Sequence, residues 1–198
     1  CSLDLSAFYF DIRKDVLYCD DLKSEKRKIS TNLLGLTLDI LLKWFAPILS
    51  FTTEEIFQIV NLGKNSSIHL ENFPTIPSNW ENKKLYEKWE KLKIIRSVVN
   101  AGIEVKRSNK DIGSSLEADI EIYLGEEYLK LVKDINLSEY FITSRASVKK
   151  MSNDNKIFKL NDVPNVGVLV QKAKGEKCSR CWKISGNPCD RCSSVLKN

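Results

Sequence analysis

Four of the six cysteines in this 198-residue chain crowd into its last stretch, as Cys178-Ser179-Arg180-Cys181 and Cys189-Asp190-Arg191-Cys192. A two-residue spacer lets a tight turn aim both sulfurs at one ion, and two such turns complete a tetrahedral thiolate shell. Gly186 and Pro188 lie in the seven-residue gap between the pairs and let the chain reverse there. One zinc ion held by Cys178, Cys181, Cys189 and Cys192 is the expectation, with iron in a rubredoxin-like site or a pair of disulfides as the alternatives. A closed four-sulfur shell leaves no position for water, so the expected role is structural rather than hydrolytic. Structural zinc in finger peptides contributes on the order of 10 to 16 kcal/mol, enough to fold a segment with almost no core. Cys1 and Cys19 lie far from the cluster and read as ordinary buried thiols. Clustered thiols in a chain without a secretion signal point to a reducing, cytoplasmic setting.

Charge is distributed unevenly along the chain. Residues 1 to 170 carry 24 basic and 24 acidic side chains, whereas residues 171 to 198 carry 7 and 2, so the whole net charge of +5 sits in the cysteine-rich end. Such a segment attracts a polyanion through Coulomb forces and counterion release, although a solvated tail has the same composition. Arg180, Trp182, Lys183 and Arg191 interleave with the ligands, so folding the metal site clusters cations and one indole on a rigid platform suited to phosphate contact and base stacking. For Trp182 the competing role is a cover over the metal sulfurs. The most apolar run, residues 33 to 51, is broken by Asp39, Lys43 and Pro47, which excludes a membrane span there.

Upstream, apolar residues step by three and four. Leu5, Phe8, Ile12, Val16 and Cys19 mark one helix, and a second runs from about Glu25 through Leu34, Leu41 and Phe45 until Pro47 stops it. Thr52-Thr53-Glu54-Glu55 has the form of a capping box opening a short helix through Val60, with a connecting loop from Asn61 to Asn79. Leu85, Trp89, Leu92, Ile95, Val99 and Ile103 predict a long helix packed on the first two. After Gly113 the rhythm changes to period two over Ala118, Ile120, Ile122 and Leu124, a half-buried strand. Residues 126–133 predict a short helix, and residues 140–148 and 166–170 further strands. The expected fold is mainly α: a helical bundle over 1–110, a small α+β region over 111–170, and a four-cysteine knuckle over 171–198.

These segments, taken together, resemble a known family. Asp4-Leu5-Ser6-Ala7-Phe8-Tyr9-Phe10-Asp11 with Lys14-Asp15-Val16-Leu17-Tyr18-Cys19, then Ala46-Pro47-Ile48-Leu49-Ser50-Phe51-Thr52-Thr53-Glu54-Glu55, are similar to the helical anticodon-binding region of class I synthetases for hydrophobic amino acids. Ile112-Gly113-Ser114-Ser115-Leu116-Glu117-Ala118 and Gly175-Glu176-Lys177-Cys178-Ser179-Arg180-Cys181-Trp182 narrow the likeness to the C-terminal part of bacterial isoleucyl-tRNA synthetases, with a shorter gap between the cysteine pairs. The resemblance implies a piece of a longer, monomeric, cytoplasmic enzyme that ligates isoleucine to its tRNA. ATP and magnesium would then act in catalytic and editing parts upstream of Cys1, and no catalytic residue is expected in this piece.

An anticodon loop is single-stranded, so its bases can be splayed out and read by stacking and hydrogen bonds. The candidate tRNA contacts are Lys93, Arg96, Lys106, Arg107 and Lys110 on the long helix and its end, with Arg180, Trp182, Lys183 and Arg191 in the knuckle. Arg96 falls among the apolar steps, so a bond inside the fold is the alternative there. His69 lies in the loop between Ile68 and Leu70 and reads as non-catalytic, and Glu54 and Glu55 read as helix-capping residues rather than an acid/base pair. Trp44, Trp80 and Trp89 read as core or hinge anchors. Two rival functions remain: a zinc-finger module of another protein, such as a DNA glycosylase, and the same region of a related synthetase for valine, leucine or methionine.

Overall fold

The computed structural model describes residues 2–60, 66–152 and 154–197. The chain separates into two compact units, one formed by Cys1–Asp20 with Asn82–Asn198 and the other by Asp21–Glu81. The boundaries expected at residues 110 and 170 both fall inside the first unit.

In the first unit a π-helical stretch, Ser2–Phe10, runs into α1 (Asp11–Cys19), which buries Ile12, Val16 and Cys19 at helical spacing. Helix α4 (Lys83–Ser108) begins where the Asn82 side chain accepts from the Leu85 N–H at 2.9 Å, satisfying one of the free amides of the first turn. Its stripe of Leu92, Ile95, Val98, Val99 and Ile103 is almost wholly buried. That stripe packs on a four-stranded sheet built from β1 (Ala118–Leu124), β2 (Arg145–Lys150), β3 (Phe158–Leu160) and β4 (Val163–Lys172), in the order β2-β1-β4-β3. β1 pairs parallel to β2 and antiparallel to β4, placing Ile120, Ile122 and Leu124 opposite Val170, Val168 and Val166. At the crossing a Cβ on Gly102 would come within 2.5 Å of Val168, so only glycine lets the helix approach the sheet this closely.

The long helix therefore packs differently from the sequence expectation. Its apolar face covers the sheet, and of the two earlier helices only the first shares its core, through Ile12 and through Phe8, which meets Trp89 and Tyr140 edge-on at 6.2 and 6.1 Å. The second belongs to the other unit. A 3.6-residue stripe specifies that something apolar covers it, and a sheet face serves as well as a helix. The short helix after β1 closes within four residues as α5 (Glu126–Leu129). Tyr140 ends α6 (Leu137–Tyr140) instead of starting a strand, because the Asn136 side chain caps that turn by accepting from Glu139 N–H.

The other unit pairs α2 (Glu25–Phe45) with α3 (Ser50–Val60) over a small cluster of Leu42, Ala46, Phe57 and Ile68. The Ser24 hydroxyl caps α2, and the helix ends just before Pro47, as expected. The capping box does not form. α3 starts earlier, at Ser50, and the Thr53 hydroxyl donates back to the Leu49 carbonyl at 2.9 Å. Glu54 is instead a latch, accepting from Gln58, from the Ser67 hydroxyl and from the Ile68 N–H, and these bonds hold its carboxyl below the usual range. His69 lies in a short 3₁₀ turn beside that latch. The first residues of the expected 61–79 loop, 61–65, lie outside the described residues, as does Cys1.

Candidate functional site

The knuckle begins where Lys177 pairs with Ile184 across a single antiparallel bridge, which brings the arms of the first cysteine turn together. Within it the Trp182 N–H donates to the Cys178 carbonyl and the Cys178 N–H to the Lys183 carbonyl, both at 2.9 Å. The Asn187 side chain accepts from the Ser179 N–H at 2.9 Å, tying the gap back to the first turn. Cys189 then stands at the N-cap of the terminal helix α7 (Asp190–Leu196), whose first turn carries Cys192.

This geometry brings the sulfurs of Cys178, Cys181, Cys189 and Cys192 within 4.8 Å of one another, with Cys181 and Cys189 at 3.6 Å. Four thiolates at about 2.3 Å from a central ion are separated by roughly 3.8 Å, so the group fits a tetrahedral metal. A disulfide needs about 2.05 Å, and all four are free. Burial opposes ionisation of Cys178, yet backbone N–H groups of Cys181, Cys189 and Arg180 outweigh it and lower the thiol to about 6. Burial pushes Cys181 up to about 12 and raises Cys192 as well. Cys178, Cys181 and Cys192 thus titrate as coupled groups, and a cation between the sulfurs would favour their thiolates.

Two arginines expected at an RNA surface have other work here. Arg191 grips Asp15 with both guanidinium nitrogens, at 2.6 and 2.7 Å, and also reaches Asp20 at 3.3 Å. The fork raises the Arg191 pKa, and on Asp15 it outweighs burial and lowers the carboxyl. Arg180 donates to the Cys19 carbonyl and, at 3.3 Å, to the Tyr18 carbonyl, where the free carbonyls of the C-terminal turn of α1 favour a cation. Together they clamp the knuckle to α1. Cys19, read from sequence as an isolated thiol, is buried against Cys178, Cys181 and Cys192, and burial raises its pKa. No local sequence signal announced that packing, and the Cys19 thiol also reaches the Arg180 carbonyl, 161 residues away.

Trp182 remains 60% exposed with a left-handed φ of 66°, so it is not a lid over the sulfurs. The Lys177 ammonium sits 6.0 Å from the centre of its ring. A mainly apolar cleft of about 460 Å³ opens between α1 and the knuckle, bordered by Tyr18, Ile142 and Trp182, by the cations Lys14, Arg180 and Lys183, and by the carboxylates Asp11, Asp15 and Glu139.

The helical candidates divide. Arg96 is buried, donates to the Tyr140 carbonyl, lies 3.8 Å from Asp11 and faces the Phe8 and Tyr140 rings, so it is an internal tie. Burial lowers its pKa and pushes that of Tyr140 up to about 12. Lys93 pairs with Asp4 at 3.1 Å and Glu90 at 2.9 Å. Lys106 pairs with Asp111 at 3.0 Å and Arg107 with Glu104 at 2.8 Å, while Lys110 is exposed at a left-handed φ of 61° beyond the helix end.

Comparison with known proteins places the chain in a family. The chain is 47% identical over 191 residues to the isoleucine–tRNA ligase of Pelagibacter ubique, covering 96% of this chain and 20% of that protein. It is 44% identical to the isoleucine–tRNA ligase of Bradyrhizobium diazoefficiens and 42% to that of Rhodopseudomonas palustris, covering 92% and 91% of this chain and 18% of each relative. The chain thus spans about a fifth of the relatives it matches. Residues 1–122 match the family described as the anticodon-binding domain of tRNA ligase, and with more than half its length inside that match the chain belongs to the family of tRNA-ligase anticodon-binding domains.

Proposed function

We propose that this chain is the C-terminal, tRNA-holding region of an isoleucine–tRNA ligase that acts as a monomer in the cytoplasm. The observation that carries the reading is a likeness to isoleucine–tRNA ligases running through both the helical part and the knuckle, over 96% of the chain. A DNA-glycosylase finger accounts for the second of these and not the first. In the complete enzyme ATP and magnesium serve the catalytic part, which, with an editing part, lies outside these residues.

The bound ion is zinc, held by Cys178, Cys181, Cys189 and Cys192. Its closed thiolate shell stabilises the knuckle and activates no water. Arg180, Arg191 and Arg96 set the scaffold, because their guanidinium groups are engaged within the fold. RNA contact falls to the groups left facing solvent. Trp182 offers a π-face to an unstacked base, Lys183 and Lys14 at the same cleft meet phosphates, and Lys106, Arg107 and Lys110 form a second basic site, with Lys93 a separate cation roughly 20 Å back along α4.

The test is fluorescence anisotropy of the zinc-loaded chain with isoleucine tRNA, a tRNA of another anticodon and duplex DNA, at two salt concentrations. A preference for isoleucine tRNA that survives higher salt is expected, with Trp182→Ala weakening it about 5- to 150-fold. Equal, salt-sensitive binding to all three reduces the region to a nonspecific polyanion binder.

A further inference from the structure

Helix α2 is apolar on two sides, and among the described residues only one of them packs into a buried cluster. Leu42 packs with Phe57 and Ile68 in the small core of its unit. With 3.6 residues per turn, Ile29, Leu33, Leu36, Ile40 and Trp44 fall within an arc of roughly 80° on another side. Ile29 is 59% exposed, Leu33 43%, Leu36 39% and Trp44 50%, and Ile40 is half-buried. This row is roughly 22 Å long and no charged residue interrupts it, unlike apolar side chains scattered singly over a surface. A helix apolar around most of its circumference belongs inside a larger core.

We infer that this row is an internal interface of the longer polypeptide, seating an amphipathic helix from the part that lies outside these 198 residues. The relatives run about five times the length matched, so most of the polypeptide is available to cover it. Spacings of four, three, four and four are those of ridges meeting a second helix. An RNA occupant is disfavoured by the lack of any cation within the row. The inference rests on membership in a longer ligase and uses no step of the tRNA reading, so its test reads helix protection and not RNA affinity.

The experiment is hydrogen exchange by mass spectrometry on the full-length protein, native and carrying Leu33→Lys with Leu36→Lys. The expected result is protected amides over residues 29–44 whose exchange speeds at least about tenfold in the variant, together with those of one contiguous segment outside the 198 residues, which identifies the occupant. Changes confined to residues 29–44 overturn the proposal. A full-length dimer that the variant dissociates overturns it in favour of a second copy. If the double variant does not fold, the Trp44 emission, taken as native minus Trp44→Phe, decides: a blue-shifted signal shielded from acrylamide supports the interface, and a red, quenchable one removes it.

Discussion

The sheet with its long helix and the cysteine knuckle lie in one compact unit yet are held by opposite means. Under α4, Leu92, Ile95, Val98 and Val99 are fully buried against strands whose own residues are buried too, so stability comes from apolar area removed from water. The knuckle's buried residues are chiefly its ligands, with Ile184 and few other apolar side chains. Its four sulfurs are placed to close on a metal ion and two arginines tie it to α1, a device suited to a segment that leaves Trp182 outside. The contrast teaches that a binding surface rich in exposed cations can be kept rigid without a core of its own, provided a metal supplies the missing free energy.

Removing the metal should separate the two most sharply. Cys189→Ser is expected to lose the bound ion and unfold roughly the last twenty residues, forfeiting up to about 10 kcal/mol of local stability while the sheet stays folded. Colorimetric zinc release with hydrogen exchange checks this, and one equivalent of tightly held zinc in the variant would contradict it. The reciprocal change, Ile95→Ala, should lower unit stability by about 2 to 5 kcal/mol in urea titrations while the folded protein keeps its full zinc content. A cost below about 1 kcal/mol would mean that the helix is not seated on the sheet as described.

A pH titration sharpens the apolar side. Tyr140 is buried, its hydroxyl lacks a hydrogen-bond partner among the described residues, and its pKa is raised from 10.0 to about 12. Below pH 10 both folded and unfolded chains keep that proton, so stability is unaffected. Between pH 10 and 12 only the unfolded chain releases it, so stability falls with rising pH by up to about 3 kcal/mol. Chemical denaturation across that window should show the slope in the native chain and a reduced one in Tyr140→Phe; identical slopes would remove Tyr140 as its source.

The smallest expected effect lies at the joint. Arg191→Ala breaks the fork to Asp15, and since the Arg191 side chain is still 35% exposed, solvent screening limits the cost to about 1 to 2 kcal/mol. Exchange should rise at the amides of α7 and the end of α1 with zinc retained. Loss of zinc would instead make the clamp part of the metal site.

The sequence alone determined what depends on local spacing. The cysteine ligands are legible because a C-x2-C turn is a local geometry, and α2, α4 and β1 are legible because burial imposes a period on their side chains. The likeness to tRNA-ligase relatives is legible for the same reason, being written in contiguous segments. Tertiary structure decided which surfaces meet: that α4 lies on a sheet, that Glu54 latches Ser67 and Ile68 instead of capping a helix, and that Cys19 packs beside the metal ligands. It also decided that Arg96, Arg180 and Arg191 bond to groups of the fold while Trp182 stays out. A guanidinium reads the same in sequence whether a phosphate or a carboxylate waits for it, and only the folded chain brought Asp15 to Arg191 across 176 positions.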